Sequence, residues 1–130
     1  MLRFGIIGAG NIARTHANAI RASDRARLVA VSGGRSSAQF AATYGAAHFE
    51  YPGDLLSSDD VDAVILATPS GVRYEYTLEA ARRGKHVLVE KPLEVDLSRA
   101  REMVSACEEA GVTLGVVFQS RFKPHCQVLR

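Results

Sequence analysis

Phe4-Gly5-Ile6-Ile7 is an apolar run that ends on Gly8-Ala9-Gly10-Asn11-Ile12-Ala13, and from there Ala13, Ala17 and Ile20 recur at i, i+4 and i+7. The hydrophobic pattern changes from that of a buried strand to that of an amphipathic helix within a few residues, and a glycine-rich turn allows so abrupt a change. In this setting G-x-G-x-x-G/A predicts a strand–turn–helix unit whose turn accepts a pyrophosphate. The first glycine permits the tight turn, and the second leaves no Cβ between the backbone and an approaching phosphate. Ala13 is small enough for close helix packing. Free N–H groups at the helix start favour the anion, so Gly8, Gly10, Asn11 and Ile12 are candidate cofactor-binding residues. A plain strand-to-helix turn and a flavin site are the alternatives.

The rest of the chain repeats the alternation. Leu28–Val31 reads as a second strand, after which Ser36 or Ser37 caps a helix carrying Phe40 and Tyr44 and closed by Gly45. His48–Tyr51 is a weak third strand before Pro52-Gly53, with Asp54 as cap of a short helical turn through Leu55-Leu56. Ala63–Ala67 is a continuous apolar run of the kind a central parallel strand shows. A helix with Tyr74, Leu78 and Ala81 on one face ends at Gly84, and Val87–Val89 makes a fifth strand. Asp96 caps a helix with a Leu97, Ala100, Val104, Cys107 stripe that stops at Gly111, and Leu114–Phe118 is a sixth strand. Six strands alternating with helices predict an α/β doubly wound parallel sheet, a Rossmann fold with helices on both faces, in one domain over residues 1–130.

Composition fits one globular domain: 130 residues, 47% hydrophobic and 23% charged, with a net charge of +2. The basic residues are scattered, which argues against nucleic acid, and no apolar run approaches a membrane span. Cys107 and Cys126 stand alone, with no metal-ligand or redox spacing, and fit a reducing, cytoplasmic setting.

The acidic residue expected about 20 residues beyond the glycines, on the ribose hydroxyls, is absent. Ser32-Gly33-Gly34-Arg35-Ser36 stands there instead. An arginine and hydroxyls suit a ribose 2′-phosphate that a carboxylate would repel, so Ser32, Gly33 and Arg35 join the candidates and NADP is favoured over NAD. The alternative leaves Arg35 a solvated charge, with either cofactor accepted.

The fifth strand runs out into Glu90-Lys91-Pro92 at the carboxyl edge, where open α/β sheets bind ligands. Together with the glycine turn, Ala67-Thr68-Pro69-Ser70, the run Gly84 to Pro92 and Gln119-Ser120-Arg121-Phe122, this segment resembles the glucose-fructose oxidoreductase, inositol dehydrogenase and rhizopine-catabolism family. The resemblance covers essentially the whole chain. It implies an NAD(P)-dependent dehydrogenase acting on a secondary hydroxyl of a sugar, cyclitol or related polyol. It makes Lys91 the catalytic candidate beside the nicotinamide, Thr68, Pro69, Glu90 and Gln119 cofactor neighbours, and Arg121 a secondary candidate. It also implies a C-terminal substrate domain, absent from these residues, that completes the acid–base set; a homo-oligomer is expected. The alternative is a non-catalytic nicotinamide-dinucleotide sensor or interaction module.

Other polar residues read as structural. His16 is a polar helix residue, His86 serves packing or a hydrogen bond, and Tyr74 packs in the core. Asp59, Asp60 and Asp62 form a solvated loop, with no metal site expected.

Overall fold

The computed structural model describes residues 1–128. Six strands, β1 (Leu2–Ile7), β2 (Ala26–Ser32), β3 (Ala47–Phe49), β4 (Ala63–Leu66), β5 (His86–Glu90) and β6 (Leu114–Val117), form one sheet in the order β3-β2-β1-β4-β5-β6. Every pair is parallel, with Ile6 opposite Val31 and Ile65, and Leu66 opposite Val89. The strand order reverses between β1 and β4, and that crevice opens at the carboxyl ends of the strands.

Helices α1 (Asn11–Arg21), α2 (Ser37–Tyr44), α3 (Pro52–Ser57), α4 (Arg73–Arg82), α5 (Leu97–Glu109) and α6 (Pro124–Gln127) complete the chain. Side chains alternate faces along a strand, so adjacent residues serve two cores. Ile6, Val31 and Ile65 pack with Ala13, Ala17 and Ile20 of α1 and Phe40 and Ala41 of α2. Their neighbours Ile7, Ala30, Val64 and Leu66 turn to the other face, against Leu55 and Leu56 of α3, Ala80 and Ala81 of α4, and Met103 and Cys107 of α5. Residues Ala63–Leu66 are buried on both faces, which explains their unbroken apolar run.

Several local expectations need correction. Ser36 occupies the N-cap of α2, but its hydroxyl makes no cap bond and donates instead to the Ala9 carbonyl at 3.5 Å. Ser37 pairs with His48 at 3.0 Å. The cap position of α3 is Tyr51, with Pro52 opening the helix and Asp54 already inside its first turn. On α5 Asp96 does cap, accepting from the Arg99 N–H at 2.9 Å, but the buried stripe is Met103 and Cys107, while Leu97 is 67% exposed and Val104 39%. On α4 the buried face is Arg73, Thr77, Ala80 and Ala81; Tyr74 is half-buried against the core, with its hydroxyl donating to Glu102. One expectation needs no correction: the apolar Val128-Leu129 segment reads in the sequence as uncovered surface that favours self-association, and Val128 is exposed, while Leu129 lies outside the described residues.

The amino edge of the sheet is held by ions. Asp62 is more than a solvated loop carboxylate: it accepts from the Arg3 backbone N–H at 2.9 Å and from its guanidinium at 2.8 and 3.1 Å. That guanidinium holds the Asp62 carboxyl down at about 2. Lys85 is buried there, donating to the Ser58 and Val61 carbonyls at 2.8 and 2.7 Å, and burial lowers its pKa.

Candidate functional site

At the carboxyl edge, β1 ends in the glycine turn. Gly8 has φ +120°, and a Cβ there would lie 2.5 Å from the Ala67 carbonyl oxygen, so both conformation and space demand glycine. Its N–H donates to the Ser32 carbonyl at 2.8 Å, which draws the ends of β1 and β2 together. Gly10 is the N-cap of α1 and offers no side-chain cap. A Cβ on it would meet nothing within 4 Å, so open space lies before the helix's first N–H groups. Asn11 and Ile12, in that first turn, are exposed, and no acidic residue lies there to repel an anion.

The second shoulder of the crevice is the end of β2. Gly33 and Gly34 both have positive φ, at +79° and +91°. Arg35 is exposed and, among the described residues, makes no ion pair. Ser32 is fully buried, so its hydroxyl is aimed into the end of the strand rather than into solvent. A shallow cavity of about 130 Å³ between α1 and α2 is lined by Ala9, Arg14, Ser36 and Gln39 among others.

On the other side of β1, Thr68 and Pro69 follow β4, and Lys91 follows Glu90, the last residue of β5. Gly8, Thr68 and Lys91 therefore leave three consecutive strands of the sheet, spaced about 5 Å apart. Lys91 is exposed. Gln119 and Arg121 lie on the exposed turn after β6, next along the edge, with Arg121 over the Phe122 ring. The structure thus brings the sequence candidates to one edge of one sheet. Among the described residues no group of three or more His, Cys, Asp or Glu converges on a metal-sized space.

The geometry suits a dinucleotide: Gly10 leaves open space at the start of α1, and the buried hydroxyls Ser32 Oγ, at the end of β2, and Thr68 Oγ1, just past β4, have no hydrogen-bond partner among the described residues. Residues Gly8, Gly10, Asn11 and Ile12 would hold a pyrophosphate, and Thr68 and Pro69 would adjoin the nucleotide beyond it.

Two residues carry more than sequence reasoning assigned. His16, read there as a polar helix residue, places Nε2 2.6 Å from Glu90 Oε1, with side chains 13% and 6% exposed, and so ties α1 to the end of β5. Arg73 was missed: it is buried, and its guanidinium donates to the Thr68, Glu90 and Pro92 carbonyls. No local pattern announces either contact, since Glu90 lies 74 residues from His16 and 17 from Arg73.

The model of the oxidoreductase family with an NAD-binding Rossmann fold, GFO_IDH_MocA, matches residues 2–118. The chain is 34% identical over 131 residues to an inositol 2-dehydrogenase of Rhizobium meliloti, covering 99% of this chain and 39% of that protein. It is similar to the WlbA dehydrogenase of Bordetella pertussis, solved with NADH and UDP-GlcNAcA, at a TM-score of 0.90 and 38% identity, covering 98% of this chain and 40% of the other. A biliverdin reductase from Synechocystis, solved with biliverdin and NADP+, superposes at 0.91 with 27% identity, covering 99% and 42%.

Proposed function

Because the chain belongs to the GFO_IDH_MocA oxidoreductase family, whose model spans residues 2–118 with an NAD-binding Rossmann fold, we propose that it forms the cofactor-binding part of a dehydrogenase acting on a secondary hydroxyl of a sugar, cyclitol or related polyol. The observation that carries this is the placement of the Gly10 cradle, Thr68 and Lys91 on three neighbouring strands of one sheet edge. The chain spans 39% of the inositol 2-dehydrogenase it matches, and the proposal assigns the remainder of the substrate pocket to a further domain.

A bound nicotinamide dinucleotide supplies the hydride acceptor or donor. The chain's own residues do the rest. The first N–H groups of α1 and the Gly10 backbone bind and orient the pyrophosphate. Lys91 Nζ donates to the substrate oxygen and stabilises the negative charge developing there, while the hydroxyl proton passes to an acid–base group that the proposal assigns to the further domain. Gln119 and Arg121, on the adjoining turn, border the substrate side. Arg35, exposed at the end of β2 where a carboxylate would otherwise sit, favours a 2′-phosphate and therefore NADP. The unpaired thiols Cys107 and Cys126 support a cytoplasmic setting, and the exposed Phe118 and Phe122 support self-association as a homo-oligomer.

Mixing the protein with NADPH and NADH tests this directly. Enhanced nicotinamide fluorescence, tighter for NADPH, is expected of this chain alone, and polyol oxidation that Lys91→Ala abolishes is expected once the further domain is joined to it. Binding without turnover in that joined protein would favour a sensor module, a yellow preparation a flavin site, and tighter NADH binding would sink the 2′-phosphate assignment.

A further inference from the structure

We propose that Arg73 is a positioning residue for Lys91, acting through the main chain by gripping the carbonyls on either side of that lysine and tying them to the end of β4. Nη1 donates to the Glu90 and Pro92 oxygens, each at 2.8 Å, while Nε and Nη2 donate to the Thr68 oxygen at 3.0 and 2.7 Å. The proposal rests on the role given to Lys91 above.

Where the sheet ladder stops, this guanidinium takes over. Strands β4 and β5 pair only as far as Leu66 opposite Val89, so Thr68, Lys91 and Pro92 lie past the last rung. The Lys91 ammonium makes no hydrogen bond or ion pair among the described residues, which leaves its backbone to determine where it stands. On one side, Glu90 is fixed twice: its carboxylate by His16 of α1 and its carbonyl by Arg73 of α4. On the other side, Pro92 has no N–H, and its carbonyl goes to Arg73.

The burial has a cost that implies a purpose. Arg73 is 7% exposed, and desolvation lowers its pKa although Glu90 and Glu94 lie near. Burying a cation is tolerated when oxygens compensate it, and here three carbonyls accept hydrogen bonds from four of the five guanidinium N–H groups. The planar fork matters, since it reaches two strand ends at once in a fixed geometry that a lysine ammonium does not reproduce.

Trace acetylation of the cofactor-free chain, read by peptide mass spectrometry as the ratio of Lys91 to Lys123 labelling, tests the inference. Arg73→Met is expected to change the ratio about threefold or more and Arg73→Lys to move it in the same direction by less. Lys85→Met is the control, because it removes a comparably buried cation from two carbonyls at the opposite edge. It is expected to lower the thermal midpoint while leaving the ratio alone. A wild-type ratio in Arg73→Lys overturns the proposal, even where Arg73→Met does not fold. So does an equal change in Lys85→Met, which marks general loosening. Failure of the wild-type chain to bind either NADPH or NADH is a separate result that sinks the proposed function instead.

Discussion

At Gly8 and Gly10 two glycines two residues apart do different work, and substitution separates them. A methyl on Gly8 meets the Ala67 carbonyl at 2.5 Å in a backbone conformation hostile to L-residues, so Gly8→Ala should cost about 2 kcal/mol or more in urea unfolding. A methyl on Gly10 meets only open space, so Gly10→Ala should cost no more than about 1 kcal/mol. It should nonetheless weaken NADPH binding about tenfold, because the methyl enters the phosphate's place. Equal effects of the two changes on stability would contradict this division. Asp62 carries a pH signature. Its carboxyl falls from 3.8 to about 2 on folding, through the Arg3 hydrogen bonds, so the stabilisation is present above 3.8 and lost as pH falls through about 2. The pair is one-third exposed, and Asp62→Asn should therefore cost only about 1 kcal/mol at neutral pH. The two proteins should converge as the pH drops below about 2 in acid titrations of stability, whereas a gap undiminished between about pH 4 and pH 2 would exclude Asp62 as the source.

Elements were legible where local chemistry decides them, and less so where packing does. The strand–turn–helix at Gly8, the Asp96 cap and the left-handed Gly45, Gly84 and Gly111 stops follow from residue types alone. The buried stripe of α5 does not. Leu97, Ala100, Val104 and Cys107 satisfy helical spacing, and so do Ala100, Met103 and Cys107 one step around the same helix. Which stripe meets the sheet depends on how the segment after Pro92 delivers the helix, a tertiary fact. Met103→Ala should accordingly cost about 2–5 kcal/mol and Leu97→Ala no more than about 0.5 in chemical denaturation. The reverse ranking would restore the sequence-derived face. Arg73, and the burial of Lys85 within the run Gly84 to Pro92, escaped notice for a related reason: charged residues in isolation read as surface, and both are buried against carbonyls that the fold delivers from elsewhere in the chain.

For the whole molecule, strand order is the property that turns separate motifs into one site. Periodicity predicts six strands without saying that β1 and β4 are neighbours; the observed order does, and it puts the glycine turn, Thr68 and Lys91 along one edge, with Arg35 across the crevice. A ligand seated there contacts the ends of several strands and binds only the folded state, so its affinity must appear as stability. At a hundred times its dissociation constant a dinucleotide adds about 2.7 kcal/mol, and for a chain of this size that raises the thermal midpoint by roughly 5–15 °C. NADPH should give the larger rise and NADH the smaller one at equal concentration. Arg35→Ala, at an exposed position that supports no core, should leave the unliganded midpoint unchanged and bring the NADPH rise down to that of NADH. A rise in Arg35→Ala that still favours NADPH would move the 2′-phosphate contact elsewhere on the crevice, with Arg14 in the cavity between α1 and α2 the next cation to substitute.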